Sequence, residues 1–389
     1  MHERTYLDHN ATAPIRPEAR AALMDALDAT GNGSAVHGEG RGARATIEAA
    51  RAKVAALVGA DARGVVFTAG GTEADTLALT PDFFRGEERL GCDVLITSAV
   101  EHAAVLRGHR FPVEQVDVLA VDSRGRVELE ELDVALAHHA EAGRRALVSV
   151  MLANNETGVI QPLAEVARRA HAHGALVHTD AVQAAGRIPV SMRALGVDLM
   201  SLSAHKIGGA PGSGALVIAD PDLRPAPVFS GGGQERGRRA GSENIPSIAA
   251  FGAAAASAGS AVEDEVVRID ALRERLESAL RCEFPELVLL VGDVERLPNT
   301  SCVALPGVPA ENLVIALDLA GVAASAGAAC SSGKVTASHV LSAMGVPERI
   351  ARSAIRLSFG WSSGEEDVDR ALGAFRRVWP GLLRRARAA

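Results

Sequence analysis

The chain has 389 residues, 48% hydrophobic and 23% charged, which excludes a disordered polymer and leaves room for two or three folding units. A formal net charge of −8 excludes a general basic field, so no direct nucleic-acid binding is expected. The four cysteines, at 92, 282, 302 and 330, form no CxxC pair; neither a disulfide scaffold nor a metal site is expected.

The opening run MHERTYLDHN lacks the apolar core of a secretory signal, and the expected location is the cytoplasm. Short apolar runs then alternate with amphipathic stretches. Val65–Thr68, Val94–Thr97, Ala146–Met151, Leu176–Thr179, Leu199–Ser203 and Ala215–Ala219 are expected as buried strands, with helices at Leu129–Glu141 and Leu163–His173. Continuous apolar strands alternating with helices predict an α/β fold with a mostly parallel central sheet flanked by helices.

The uncharged stretch Ile245–Val262 is as long as a membrane span, but it is rich in Ala, Gly and Ser and carries Pro246 where a first helical turn accepts proline. A buried helix is expected there, and no membrane partner. A charged helix is expected over residues 263–281, then strands at Glu286–Val291 and Thr300–Leu305. A helix at Ala310–Leu319 and a last strand at Ile355–Ser358 follow. Two domains are expected: residues 15–258 around the large sheet, and a smaller α+β unit made of 1–14 and 259–389.

In open α/β sheets ligands sit beyond the carboxyl ends of the strands. After Val65–Thr68 come Gly70, Gly71 and Thr72 opening a helix, which is either an anion cradle or an ordinary turn and cap. After Leu176–Thr179 comes Asp180, with Gln183 three residues on; the carboxylate either pairs with a ring nitrogen or metal, or caps the next helix. After Leu199–Ser203 stand His205 and Lys206. Lysines number only three (Lys53, Lys206, Lys334), and one at a strand end suits nucleophilic chemistry on a carbonyl. Lys53 and Lys334 are expected in solvent. His102 follows the Val94–Thr97 run, whereas His138, His139, His171 and His173 are expected at the surface. Cys330 lies among Ala, Gly and Ser from Ser325 to Gly333, a segment with little to anchor it; Cys92, Cys282 and Cys302 adjoin apolar stretches and are expected to pack.

In combination, Thr72-Glu73, Glu101-His102, Asn154-Asn155-Glu156, Asp180-Ala181-Val182-Gln183, His205-Lys206, Gly231-Gly232-Gly233-Gln234-Glu235 and the segment Ser325–Ser332 resemble the cysteine desulfurases. These belong to the class V aminotransferase group of fold type I pyridoxal 5′-phosphate (PLP) enzymes. The resemblance runs from Tyr6 to Ser358, and the Cys330 segment matches the long-loop group that serves nitrogen fixation and iron–sulfur cluster assembly.

The resemblance implies that Lys206 carries PLP, Asp180 faces its ring nitrogen, Gln183 its phenolic oxygen, and His102 stacks on the ring and moves protons. Gly71, Thr72, Ser203 and His205 would hold the phosphate, joined by Ser242 from the neighbouring subunit of a homodimer. Asn155 and Arg356 would hold the carboxylate of L-cysteine. Cys330, on a mobile loop over about 325–335, would take the sulfur as a persulfide and pass it to an acceptor such as a cluster scaffold. Departures from the family pattern are Gly33-Ser34-Ala35 in a run that is usually Pro-Ser-Ser, Ala204 for glycine, Ser242 for threonine and Trp361 for arginine. The alternatives are a selenocysteine lyase, an aminotransferase or an inactive assembly scaffold.

Overall fold

The computed structural model describes residues 4–327 and 337–388. All six apolar runs form strands, of four or five residues each, and nearly every residue in them is buried. With Val116–Leu119 they build a seven-stranded sheet. Its spatial order is Val65–Thr68, Gly214–Ile218, Leu199–Ser203, Leu176–Asp180, Ala146–Ser149, Val94–Ser98, Val116–Leu119. Only Gly214–Ile218 runs against the rest.

Successive residues of a strand point to opposite faces, so these continuous apolar runs feed two cores at once. Phe67, Ile96, Val148 and Met200 join one core, with Ile47, Val54, Phe251 and Ala254 from helices. Val66, Leu95, Leu147 and Leu199 join the other, with Ala74 and Leu77 of the helix Gly71–Ala78. The helix that opens with Gly71 is thereby pinned across the strand ends.

A second sheet, antiparallel throughout, takes the order Val288–Leu290, Thr300–Ala304, Ala354–Ser358, Ser325–Ala326. Its core gathers Leu272, Leu276, Leu313, Phe359 and Phe375 together with Leu7 from the start of the chain. Thr5–Tyr6 pairs in parallel with Val322–Ala323, which ties the N-terminal residues to this unit.

Several expectations need correction. The stretch at 245–262 and the charged helix at 263–281 are one helix, Ile245–Glu283, of 39 residues, so the boundary expected at 258/259 falls inside it. The charge that begins at Glu263 marks a change of surroundings, not a break. Before it the helix buries Ile248, Phe251, Ala254, Ala255 and Ala258; beyond it the buried apolar positions shrink to the stripe Ile269, Leu272, Leu276, Leu280. It is the one helix among the described residues with the length and apolarity to cross a membrane, and half of its apolar window is buried inside the protein.

The strands at 146 and 286 are shorter than expected, and Asp82–Arg85, Glu88–Gly91 and Leu223–Pro225 form a further, three-stranded sheet. His139 is buried rather than at the surface, because Asp117 meets its Nε2 at 2.7 Å. Cys282 is exposed, whereas Cys92 and Cys302 are buried as expected. The small-residue segment that carries Cys330 is anchored where it begins. Ser325 and Ala326 pair with Arg356 and Ile355, and the Ser325 hydroxyl donates to Asp8 at 2.7 Å. Cys330 and Lys334 lie outside the described residues.

Candidate active site

A cavity of about 270 Å³ opens at the carboxyl ends of the parallel strands. Ten of the residues singled out in the sequence line it: Gly71, Thr72, His102, Asn155, Asp180, Gln183, Ser203, His205, Lys206 and Arg356. They come from segments spread over nearly the whole chain; most stand at or just beyond a strand's end or at a helix start, whereas Arg356 reaches in from the middle of the strand Ala354–Ser358 of the second sheet. Ser242 is not among them. It is exposed and lies in a separate depression beside Arg239 and Asn244.

Lys206 follows directly on the strand Leu199–Ser203, in a single short turn, and its Nζ donates to the carbonyls of Asn10 (2.6 Å) and Ala11 (2.9 Å). Asp180 ends its strand and receives the Val182 N–H at 2.9 Å. Burial raises its carboxyl above the ordinary range, while His102, that N–H and Lys206 pull it back down. His102 caps the short helix Ala103–Leu106, its Nδ1 accepting the Ala104 N–H at 3.2 Å, so a neutral ring keeps its proton on Nε2. Gln183 donates to the Asn10 carbonyl at 3.1 Å. Burial, with Lys206 and Arg187 nearby, lowers His205 to about 4, so its ring is uncharged at neutral pH.

Arg356 is clamped from behind. It donates to Asp8 Oδ1 at 2.8 Å and to the Asn155 carbonyl at 2.9 Å, and only 4% of its side chain is exposed. A guanidinium has five N–H donors, so these two bonds fix its plane and leave others for a carboxylate.

Three cavity or near-cavity residues carried no signal in the sequence. Asn10 accepts from Lys206 and Gln183 through its carbonyl and donates from its side chain to Thr300 at 2.9 Å. Arg187, which burial lowers to about 9, donates to the carbonyls of His9 and Lys206 and to the Gln183 side chain. Asp75 lines the cavity beside Asp180. No local pattern marks any of the three.

The residues present fit PLP. At Gly71 a Cβ would stand 2.9 Å from Val182 Cγ2 and 3.4 Å from Ser203 Cβ, so only glycine leaves the first turn of its helix open beside Ser203. Backbone N–H groups, the Thr72 and Ser203 hydroxyls and an uncharged imidazole make a phosphate cradle there. A lysine amine and a buried carboxyl complete the donor set that the cofactor needs.

The aminotransferase class-V family model matches residues 5–371. A cysteine desulfurase of Cereibacter sphaeroides is 43% identical, the match covering 99% of this chain and 97% of that protein. One from Gluconacetobacter diazotrophicus is 42% identical, over 98% of this chain and 94% of that protein. The solved structure of a NifS-like protein from Rickettsia africae superposes with a TM-score of 0.86 at 33% identity, covering 97% of this chain and all of the other. A lysine, a carboxyl and a phosphate cradle in one cavity at the ends of a parallel sheet are what those relatives lead one to expect, and the chain belongs to the class V aminotransferase family, among its PLP-dependent cysteine desulfurases.

Proposed function

We propose that the protein converts L-cysteine to L-alanine and receives the sulfur on Cys330 as a persulfide, which an acceptor protein removes for iron–sulfur cluster assembly or another thiolation. The observation that carries this reading is the convergence of Lys206, Asp180, His102, Gln183 and Arg356 on one cavity. When bound, PLP supplies an electron sink that weakens bonds at the substrate's α and β carbons.

In this reading Lys206 holds the cofactor and, once released, moves the α-proton. Asp180 faces the ring nitrogen, Gln183 the phenolic oxygen, and His102 covers the ring with its Nε2 proton toward the cavity. Gly71, Thr72, Ser203 and His205 hold the phosphate. Asn155 and Arg356 hold the substrate carboxylate, Asp8 keeping the guanidinium in plane. Cys330 attacks as the thiolate. A sulfur–sulfur bond forms as the carbon–sulfur bond breaks, the electron pair stays with the β carbon, and a proton converts it to the methyl of alanine.

The same reading includes a cytoplasmic homodimer in which Ser242 of each copy serves the other's phosphate, and a division into a large domain, 15–258, and a small one, 1–14 with 259–389. The exposed position of Ser242, outside its own chain's cavity, supports its working in another copy.

Incubation with L-cysteine should add one sulfur to the peptide that contains Cys330 and release an equal amount of alanine. Cys330→Ala should abolish the sulfur adduct while leaving cofactor binding intact. Amino transfer to a keto acid would mark an aminotransferase, and activity confined to selenocysteine a lyase. A protein that takes up no lysine-bound cofactor would be a scaffold.

A further inference from the structure

Behind the cavity, three neighbouring strands and one helix bring Ser149, His178, Ser201 and Asp75 into a closed chain. None is more than 1% exposed. Ser149 and His178 are register partners on adjacent strands, and Ser201 pairs with Asp180 on the next. Ser149 Oγ lies 2.9 Å from His178 Nδ1, and His178 Nε2 lies 2.9 Å from Ser201 Oγ. Asp75 stands beside them on the helix Gly71–Ala78; burial lifts its carboxyl well above the ordinary range, and Ser201 pulls it partly back down.

Proton counting gives the chain a direction. A ring that accepts the Ser149 hydrogen at Nδ1 carries its own on Nε2, so the Ser201 oxygen accepts it and the Ser201 hydrogen is left to turn toward Asp75. Burial drives His178 down to about 3, so its ring is neutral and Nδ1 is an acceptor, which takes the Ser149 hydrogen. Every hydrogen in the chain therefore points toward Asp75. Asp75 Oδ1 is buried without a hydrogen-bond partner, 3.6 Å from His178 Nε2. Asp75 lines the same cavity as Asp180.

The charged neighbours make the balance plain. Asp75 feels Asp180 at the end of the adjoining strand and Glu101 in the turn before His102, both carboxyls, while His178 supplies no charge. His102 and Lys206 act on Asp180 instead. A buried carboxylate without a cation, next to another carboxyl, costs far more than the neutral acid.

We infer that Asp75 is a positioning residue that stays an uncharged acid, so that the pair keeps its single negative charge on Asp180, where the cofactor's ring nitrogen is held. The proton resides on Oδ1 and gives the unpartnered oxygen its role as a donor at the cavity floor. Placing the charge opposite a ring nitrogen rests on the function proposed above; the protonation of Asp75 does not.

Two measurements separate the claims. On the protein without cofactor, the infrared carbonyl band of a protonated carboxylic acid should weaken by one group in Asp75→Asn. An unchanged band overturns the inference whatever the enzyme does. On the loaded protein, the pH titration of the lysine-bound cofactor's visible absorbance should move by less than about 0.3 units in Asp75→Asn, because no charge is removed; loss of a nearby negative charge would lower it by roughly one unit or more and overturn the inference. Asp75→Ala strands the Ser201 hydrogen and should weaken cofactor affinity about five-fold or more, with Asp75→Asn restoring it; equal losses in both would overturn the acid's role. Should either variant fail to fold, the wild-type protein with carboxyl-labelled aspartate decides: one aspartic acid must remain protonated at neutral pH in the loaded enzyme, and its absence refutes the assignment.

Discussion

Arg356, the residue proposed to hold the substrate carboxylate, is itself held in place by its neighbours. Its guanidinium is held by Asp8 and the Asn155 carbonyl, so the aim of the fork is set before any carboxylate arrives. Arg356→Ala should raise KM for cysteine roughly ten-fold or more, as loss of a charged hydrogen bond worth about 1.5–3 kcal/mol implies. Asp8→Ala leaves the charge but frees its plane, so KM should rise only a few-fold; steady-state kinetics of both variants, with a larger effect from Asp8 than from Arg356, would reject this division of roles. Glu101 is a separate case. Fully buried, it accepts from Ser98 at 2.6 Å and from the Met151 N–H at 2.8 Å, yet burial still lifts it from 4.5 to about 8. The folded state holds this proton more tightly than the unfolded chain does. Its stabilising effect is therefore complete below pH ~4.5 and lost as pH rises through about 8, a change on the order of a few kcal/mol. Glu101→Gln should flatten the fall in denaturant midpoint across that window; an unaltered slope would contradict it.

Among the elements, the strands were legible because burial on both faces leaves no polar alternation, and a four- or five-residue apolar run bounded by turns has few other fates. The residues beyond them were legible for the same reason: strand ends announce where a parallel sheet binds. The long helix reads as two in the sequence because composition follows surroundings as well as structure. Its first half is enclosed and alanine-rich, its second half presents one apolar stripe, and the backbone runs through unbroken. Two of its glycines give opposite predictions. At Gly252 a Cβ would lie 2.6 Å from the Ala50 backbone, where the helix Gly38–Leu57 presses against it. Alanine gains about 1 kcal/mol in helix propensity there but forces two helices apart at about 1–3 kcal/mol, so Gly252→Ala should lower stability. At Gly259 the nearest atom is a Leu57 methyl at 3.5 Å, an ordinary contact, so Gly259→Ala should raise stability by up to ~1 kcal/mol. Thermal melts of the two variants moving the same way would refute the argument.

For the whole molecule, the unread part of the site is the part assembled over distance. Asn10, Arg187 and Asp75 sit in stretches with no local peculiarity, and only the fold brings them to the cavity; a pattern along the chain holds no trace of that meeting. The proposed pairing of two copies belongs to this scale as well. Sedimentation should find a dimer across the concentrations at which the enzyme is active, and a fully active monomer would exclude sharing of Ser242. The clasp between the two ends has a further consequence. Asn10 carries the Lys206 contact, and Asp8 faces Arg356, 348 positions later. A nascent chain leaves the ribosome from its N-terminus, so the large sheet can close while its catalytic floor still waits for partners. Asp8 must stay available until Arg356 has been made, so the corner of the cavity around Arg356 is completed after the part around Lys206.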